Sequence, residues 1–312
     1  MAEVVTVGET MALLVPDQDG PLDAVSSFHM TMGGAESNMA IGLARLGHAV
    51  TWFSHVGDDP FGRYLRQTIG AEGVDVTRVG VDSAAPTGVF FRERIPGHPP
   101  TGYYYRRGSA ASRLRPADLP ADLFTGARIF HCTGISPILS ESFHATIAAA
   151  LSQAREQGLK TVFDPNLRLR LTTIEHARAV MLPLMHGVDI LLTGLGELRL
   201  LLQEDNPSTL ARHLRAAYGI AEVVIKDGPN GALVAGPDGG LQHVPAVVVG
   251  PELDPTGAGD AFNAGYLSGV LRGYSPVQSA RLGAVLGGHV VVHPGDFENL
   301  PTWEVARRYL GL

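Results

Sequence analysis

Short runs of apolar, often β-branched residues recur along the chain and predict buried strands. The runs cover residues 4–7, 49–53, 128–132, 160–163, 188–192 and 222–225. Helix-like patterns with a period of 3.6 separate them, as in residues 37–46 and 141–157, and each of these patterns ends at a glycine, Gly47 or Gly158. The alternation predicts an α/β fold, a mainly parallel sheet with helices on both faces. Ligands of such sheets bind beyond the C-terminal ends of the strands.

Two stretches break this alternation. Residues 11–32 contain no helix pattern, and residues 87–107 read as two strands joined by the turn-rich string Pro96-Gly-His-Pro-Pro-Thr-Gly102. We predict that they form a small β-sheet lid, residues 11–33 and 87–108, over an α/β domain made of residues 1–10, 34–86 and 109–312. From composition alone, an ordinary surface hairpin is an equally good interpretation.

Composition narrows the function class. Lys and Arg total 24 and Asp and Glu total 31, a net charge of −7, which argues against general nucleic-acid binding. The single cysteine, Cys132, lies in an apolar run and is predicted to be a core thiol, as is natural in the cytosol. No run approaches the ~18 apolar residues of a membrane helix. We therefore expect a cytoplasmic protein that binds neither nucleic acid nor membranes.

The string Asp254-Pro-Thr-Gly-Ala-Gly-Asp260 precedes a helix of small residues and is the sharpest chemical motif in the chain. Gly257 and Gly259 allow backbone N–H groups to approach an anion closely, and the positive end of the helix points to the same place. This arrangement can stabilise charge on a transferred phosphoryl group. Asp260, in the first turn, can accept a proton from a hydroxyl. The alternative is that Asp260 only caps the helix.

A second motif, Lys226-Asp-Gly-Pro-Asn-Gly231, follows an apolar strand and can also be read as a plain hairpin turn. Several other strings are missing from the sequence. It has no Gly-x-x-x-x-Gly-Lys-Ser/Thr loop, no Gly-x-Gly-x-x-Gly at its first helix, no Gly-x-Ser-x-Gly elbow and no His-Glu-x-x-His pair. These absences disfavour a P-loop ATPase, a nicotinamide enzyme, a serine hydrolase and a zinc enzyme.

Three further strings accompany the motif at 254–260. They are Gly33-Gly-Ala-Glu-Ser-Asn38-Met-Ala, Gly42-Leu-Ala-Arg-Leu-Gly47 and Val56-Gly-Asp-Asp-Pro-Phe-Gly62. Together, over essentially the whole chain, the sequence resembles the ribokinase-like (PfkB) carbohydrate kinases. The resemblance implies a Rossmann-like α/β domain with a β lid that transfers the γ-phosphoryl group of ATP to a sugar hydroxyl. It also implies that Asp260 is the catalytic base and that the backbone of Gly257, Ala258 and Gly259 forms the anion hole.

Within this family, the sequence is most similar to kinases that convert 2-keto-3-deoxygluconate to its 6-phosphate. The similarity lies in Gly33-Gly-Ala-Glu-Ser-Asn38, in Tyr103-Tyr-Tyr-Arg-Arg-Gly-Ser-Ala-Ala-Ser112 and in Asp164-Pro-Asn-Leu-Arg168. A keto acid carries a carboxylate, which suits the planar donor fork of arginine. Arg107, the neighbour of Arg106, is expected to lie on a solvated face. The resemblance implies substrate contacts from Gly33, Gly34, Asn38, Phe90, Tyr104, Arg106, Arg168 and Asp260.

The resemblance also implies a nucleotide site. It assigns to ATP the residues Asn166, Arg168, Lys226, Gly228, Gly231, Gly257 and Gly259. The family's Asn-x-x-Glu string, tied to Mg²⁺, is here Gly194-Leu-Gly-Glu197, so the contact from the Asn side is missing and Asn166 is the polar group nearby. Glu197 can bind Mg²⁺ through water, or it can be a carboxylate at a helix start. A monovalent cation is left open as a further cofactor.

Other functions stay open. The nearest is the same fold acting on a neutral sugar such as fructose, ribose or a nucleoside, and a more distant one is a non-catalytic sugar-binding protein. The sequence leaves gluconate-derived and galactonate-derived acids unresolved. Because exposed strand edges are commonly paired or covered, we expect a homo-oligomer formed through the lid.

Overall fold

The computed structural model describes residues 1–98 and 100–311. The strands are β1 (Val4–Val7), β2 (Met11–Pro16), β3 (Phe28–Gly33), β4 (Val50–Phe53), β5 (His55–Gly57), β6 (Gly80–Asp82), β7 (Val89–Glu93), β8 (Thr101–Tyr105), β9 (Ile129–Thr133), β10 (Lys160–Asp164), β11 (Ile190–Gly194), β12 (Glu222–Lys226), β13 (Ala232–Ala235) and β14 (Leu241–Val244). The helices are α1 (Ala35–Arg45), α2 (Pro60–Ala71), α3 (Ile135–Leu139), α4 (Glu141–Glu156), α5 (Ile174–Met185), α6 (Leu195–Leu202), α7 (Pro207–Tyr218), α8 (Ala258–Leu271), α9 (Pro276–Val290) and α10 (Trp303–Tyr309).

The larger sheet has the order β14-β13-β12-β11-β10-β9-β1-β4. The strands from β12 to β4 run parallel, and β13 and β14 continue the sheet as an antiparallel edge. Helices α1, α8 and α9 cover one face, where Trp52 and Tyr266 are fully buried. Helices α4 and α7 cover the other face, around Phe130, Phe143 and the buried Cys132. The predicted α/β fold with helices on both faces is confirmed.

The two stretches that break the alternation lie in a separate sheet of order β3-β2-β7-β8. Side chains alternate between its faces, so the aligned Leu13, Phe90 and Tyr104 point to one side. The neighbouring positions Leu14, Met30 and Phe91 point to the other side. We call this sheet the lid sheet. Its first face turns toward the carboxyl ends of the parallel strands, as the cavity described below requires.

Local sequence accounts for where several helices begin. Asp59 caps α2 by accepting a hydrogen bond from the Gly62 N–H at 2.8 Å, and Pro60 takes the first helical position. Ser140 caps α4 in the same way, through the Phe143 N–H. In the described ranges, no helix is both long enough and apolar enough to cross a membrane.

Candidate active site

A cavity of about 320 Å³ lies between the lid sheet and the ends of the parallel strands. Its walls come from the start of α1, from the lid, from the loop after β10 and from the start of α8. The structure brings together here every residue predicted to contact a substrate. They are Gly33, Gly34, Asn38, Phe90, Tyr104, Arg106, Arg168 and Asp260, with Gly257 beside them.

A second, open cavity of about 700 Å³ lies beyond the ends of β11 and β12. Of the predicted nucleotide and metal residues, Lys226, Gly228 and Glu197 line it. Asn166, Arg168, Gly231, Gly257 and Gly259 are not among the described residues that line it, and Arg168 and Gly257 line the smaller cavity instead. Gly231 lies in the hairpin between β12 and β13. Its φ is +89°, and a Cβ there would overlap the carbonyl oxygen of Val244, so the hairpin itself requires glycine at this position.

The loop after β10 borders both cavities, since Leu167 lines the larger one and Arg168 the smaller one. The start of α8 also joins them. A Cβ built on Gly259 would lie 3.6 Å from the Lys226 ammonium, and Asp260 faces the smaller cavity. A group passing from one cavity to the other would therefore cross the first turn of α8.

Asp260 lies in the first turn of α8 and is only 7% exposed. Asn38 Nδ2 donates to its Oδ2 at 2.9 Å, and Asn166 Nδ2 donates to its Oδ1 at 3.3 Å. Burial raises the pKa of Asp260 to about 7, although the Asn38 hydrogen bond and the charge of Arg168 act in the opposite direction. A carboxyl group with this pKa is suited to accept a proton near neutral pH.

Asn166 and Asn38, whose side-chain amides donate to Asp260, differ in backbone conformation and in the hydrogen bonds they still have free. Asn166 has a φ of +41°, a left-handed conformation that is uncommon outside glycine, and its N–H donates to Asp164 Oδ1 at 3.0 Å. Its side chain is thus committed to Asp260 rather than to the region of Gly194. The Asn38 Oδ1 atom is buried and has no hydrogen-bond partner within the described residues. It is available to accept a hydrogen bond from a ligand hydroxyl.

The turn before α8 is built around Gly257, whose φ is +78°. A Cβ at this position would overlap the carbonyl oxygen of Asp296, so glycine is required for both conformation and space. Over the described parts of the chain, no side chain caps α8. Its first N–H groups therefore remain directed toward the place where the two cavities meet, as an anion site needs.

Lys226 is held in place at this junction. Its ammonium donates to Asp164 Oδ2 at 2.9 Å and to Asn263 Oδ1 at 3.0 Å, and Asn263 Nδ2 donates to the same Asp164 oxygen at 2.6 Å. Asp164 is almost fully buried. Sequence analysis did not single out Asn263, although it follows Asp260 by three residues and therefore shares its helix face.

Glu197 lies in the first turn of α6 and also lines the larger cavity. Its Oε2 accepts hydrogen bonds from the Gly194 N–H at 3.2 Å and from Thr193 Oγ1 at 3.4 Å. Burial and the charge of Asp164 raise the pKa of Glu197 to about 7, and Lys226 opposes the rise. Both predicted interpretations thus remain compatible with the geometry, because the same carboxylate contacts the helix start and faces the cavity.

The donor chemistry at Glu197 fits Mg²⁺, which prefers oxygen ligands and usually keeps several waters. Among residues 1–98 and 100–311, no group of three or more His, Cys, Asp or Glu side chains forms a metal cage. Glu197 is a carboxylate in the wall of the larger cavity that would be able to hold such an ion through water.

The two arginines predicted to bind a carboxylate differ in their surroundings. Arg106 Nε donates to Glu9 Oε2 at 2.7 Å, both residues are buried, and Ser109 binds the other oxygen of Glu9. Arg168 is exposed at the cavity and has no ion pair among the residues that the structure describes. Arg106 is already neutralised by Glu9, whereas Arg168 and Arg170, both exposed and both from the loop after β10, line the cavity without an ion pair in the described parts of the chain.

Sequence analysis missed four further charged residues that line the smaller cavity, Glu9, Arg92, Arg170 and Asp296. Arg92 Nη2 donates to Asp296 Oδ1 at 2.5 Å, and both residues are buried. The sequence could have indicated Arg92, because side chains alternate between the two faces of β7 and Arg92 therefore lies on the same face as Phe90. Asp296 lies in an irregular loop after α9, where no sequence periodicity points to it.

The family described as "pfkB family carbohydrate kinase" matches residues 1–303. The 2-dehydro-3-deoxygluconokinase of Bacillus subtilis (strain 168) is 36% identical over 311 residues, 99% of this chain and 95% of the relative. The 2-dehydro-3-deoxygalactonokinase of Haloferax volcanii is 33% identical over 309 residues, 96% of each. The crystal structure of 2-dehydro-3-deoxygluconokinase from Thermotoga maritima has a TM-score of 0.88 at 26% identity, with 100% of both chains covered.

Proposed function

The chain belongs to the PfkB family of carbohydrate kinases, and from that premise we propose that it phosphorylates a 2-keto-3-deoxy sugar acid with ATP. The acceptor is the terminal hydroxyl of 2-keto-3-deoxygluconate, and the product is 2-keto-3-deoxy-6-phosphogluconate. One observation carries the proposal. A single cavity contains both Asp260, a buried carboxyl group with a pKa near 7, and Arg168, a guanidinium without an ion pair among the described residues.

The sugar acid lies under the lid sheet. Phe90 and Tyr104 stack with ring centroids 5.2 Å apart and give the cavity an apolar wall. Arg168 binds the carboxylate of the acid. Asn38 Oδ1 accepts a hydrogen bond from a hydroxyl, and the backbone at Gly33 and Gly34 approaches the sugar closely. A side chain at Gly33 would meet Phe90 and Asp296, with Asp296 Oδ2 only 2.6 Å from its Cβ.

ATP occupies the larger cavity, with its terminal phosphates at Lys226 and the first turn of α8. Gly228 and Gly231 shape the hairpin beside the nucleotide, and Glu197 would hold Mg²⁺ through water. When bound, the ion supplies positive charge that offsets the charge of the phosphates. The spacing supports this placement, because Lys226 Nζ is within 3.6 Å of a Cβ position on Gly259.

The protein groups then act in a defined order. Asp260 accepts the proton of the terminal hydroxyl, and the two amides of Asn38 and Asn166 hold its carboxylate in position. The N–H groups at the start of α8 stabilise the phosphoryl group as it moves between the cavities. The lid excludes water that would otherwise take the place of the acceptor.

The decisive test is Arg168→Ala in a coupled assay of ADP release, run on a panel of neutral sugars and of gluconate- and galactonate-derived keto acids. Losing a charged hydrogen bond costs on the order of 1.5–3 kcal/mol, so kcat/KM for the acid should fall roughly 10- to 100-fold. Arg107→Ala, at an exposed lid position, is the matched control and should retain activity. A loss below about threefold at position 168 would remove the acid assignment.

A neutral sugar is the second candidate, and one observation favours it. Glu9 already neutralises Arg106, so only one of the two predicted carboxylate-binding arginines remains unpaired within the described residues. Turnover of fructose or ribose above that of every acid in the same panel would establish this alternative. No ADP release with any acceptor would instead favour a non-catalytic sugar-binding protein.

A homodimer formed through the lid also belongs to the proposal. The outer face of the lid sheet exposes apolar area, since Tyr105 is 69%, Tyr103 44% and Met30 38% exposed. A second copy covering this face would bury these side chains, and Tyr105→Glu would then yield monomers in sedimentation velocity experiments.

A monovalent cation and a cytoplasmic location stay predictions. Replacing potassium by a bulky organic cation in the ADP-release assay tests the former.

A further inference from the structure

Arg92 connects the lid sheet to the turn before α8. It lies on β7, two residues after Phe90 and on the same face. Its Nη2 donates to Asp296 Oδ1 at 2.5 Å, and its Nη1 lies 3.9 Å from Asp254 Oδ2. All three side chains are less than 10% exposed. A single lid guanidinium thus faces two buried carboxylates that come from two separate loops of the α/β domain.

Each of these carboxylates belongs to a segment that shapes the turn. Asp254 Oδ1 accepts hydrogen bonds from the Thr256 N–H at 2.9 Å and from Thr256 Oγ1 at 2.6 Å, which fixes the approach to Gly257. The carbonyl oxygen of Asp296 packs directly on Gly257, at the point where a Cβ would overlap it. The turn is therefore held from both sides by residues that face Arg92.

We infer that Arg92 is a positioning residue that aligns the anion-hole turn, Gly257 to Asp260, with the lid. The inference rests on the proposed function of that turn. Although Arg92 lines the substrate cavity, its Nη2 and Nη1 face Asp296 and Asp254, so in this scheme it acts on the turn and not on the phosphate or the acceptor. It holds Asp254 and Asp296 in place, and these hold the N–H groups at the start of α8. Because Phe90 lies on the same strand and lines the substrate cavity, the position of the lid over a sugar and the geometry of the turn are mechanically linked.

The link makes a distinct kinetic prediction. A group that binds the sugar in the ground state would change KM when removed, whereas one that orders the anion hole changes mainly the transition state. Arg92→Met should therefore lower kcat by about tenfold or more while KM for the acceptor and for ATP changes by less than about threefold. Arg92→Lys keeps the charge but loses the fork that faces two carboxylates, so it should restore kcat only partly.

The matched control is Arg94→Met. Arg94 follows Arg92 by two residues, but it forms an ion pair with Asp19 at 3.2 Å on the lid surface and donates a hydrogen bond to the Pro16 carbonyl oxygen. Neither of these partners belongs to the turn before α8. Arg94→Met should keep wild-type kcat. Because Arg92→Met leaves two buried carboxylates without their cation and can destabilise the fold, the double variant Arg92→Met/Asp296→Asn is made in parallel. It removes one negative charge together with the positive one.

A second measurement does not depend on activity. Hydrogen–deuterium exchange of the peptide covering residues 254–262 should accelerate at least roughly threefold in Arg92→Met and in the double variant, but not in Arg94→Met. Unchanged exchange together with a kcat equal to that of Arg94→Met would overturn the inference, as would a loss confined to KM. If the wild type phosphorylates no sugar acid, the kinetic arm uses the acceptor that it does phosphorylate. Faster exchange would then still support the link while the proposed substrate fails.

Discussion

Replacing Asp260 by asparagine tests the chemistry of the site through stability as well as activity. The carboxyl group is 7% exposed and lies between the amides of Asn38 and Asn166. Burial raises its pKa from 3.8 to about 7, so the folded protein resists ionising it. Asparagine has nearly the same shape and never ionises. The variant should therefore lose catalysis and, at neutral and alkaline pH, gain stability.

The size of the gain follows from the two pKa values. The rise from 3.8 to about 7 corresponds to about 4 kcal/mol at about 1.36 kcal/mol per pKa unit, as an upper value. Between pH ~4 and pH ~7 the unfolded chain has released this proton while the folded chain keeps it. The contribution of Asp260 to the free energy of unfolding of the wild type is therefore fully present below pH ~4. It decreases as the pH rises from ~4 through about 7, and above that pH it no longer changes.

The amide substitution also carries a cost that does not depend on pH. Asp260 accepts hydrogen bonds on both oxygens, whereas asparagine presents one oxygen and one NH₂ group toward Asn38 and Asn166. A lost hydrogen bond costs about 1 kcal/mol. The net gain at pH 8 should be about 1–3 kcal/mol, and it should shrink by up to about 2.7 kcal/mol at pH 5, two pH units below the folded pKa of about 7.

Urea unfolding at pH 5, 6, 7 and 8 measures the difference in unfolding free energy between the two proteins. Asp205→Asn, at a fully exposed carboxylate, is the control and should show no comparable trend. In the ADP-release assay, Asp260→Asn should lower kcat by about 10²- to 10⁴-fold. Wild-type kcat/KM should fall as the pH drops below about 7, where the base becomes protonated. A stability difference that does not change with pH, or a nearly normal kcat, would refute the reasoning.

Two further substitutions address the turn and the metal. Gly257→Ala places a Cβ on the Asp296 carbonyl oxygen and should lower kcat by about 10²- to 10³-fold. The control is Gly273→Ala, which also has a positive φ, +76°, but has open space around it. This control should lose only about 1 kcal/mol of stability. Glu197→Gln should raise the Mg²⁺ concentration for half-maximal activity several-fold without changing KM for the sugar. Glu204→Gln, two residues beyond the end of α6 and outside the residues that line the two cavities, should leave that concentration unchanged. An unchanged Mg²⁺ requirement would leave Glu197 as a helix-start carboxylate.

Much of the fold could be predicted from the sequence because its signals are local. The apolar runs predict β1, β4, β9, β10, β11 and β12 to within two residues at each end. The antiparallel edge, β13 and β14, escaped prediction because its short strands carry no distinctive period and follow a motif that reads equally well as a turn. The family resemblance is confirmed by a match over residues 1–303.

The residues of the candidate site also differ in whether local sequence could identify them. Glycines and the residues of contiguous motifs, such as Gly257 and Asp260, could be found because their spacing carries the chemistry. The charge partners could not, because they are distant in sequence. Arg92 and Asp296 are 204 positions apart, and Glu9 and Arg106 are 97 apart. Only the fold brings such pairs together.

These pairs also decide how the arginines at the cavity can be distinguished by mutation. Arg92 and Arg106, both from the lid, are neutralised by buried carboxylates, whereas Arg168, from the loop after β10, has no ion pair among the described residues. Removing Arg106 alone would leave Glu9 as an uncompensated buried charge, and activity would fall for that reason whatever the substrate. A loss at Arg106 therefore cannot identify an acid, but its comparison with the double variant Glu9→Gln/Arg106→Met can. Selectivity that survives in this double variant and disappears in Arg168→Ala would place recognition of the acid on the loop after β10.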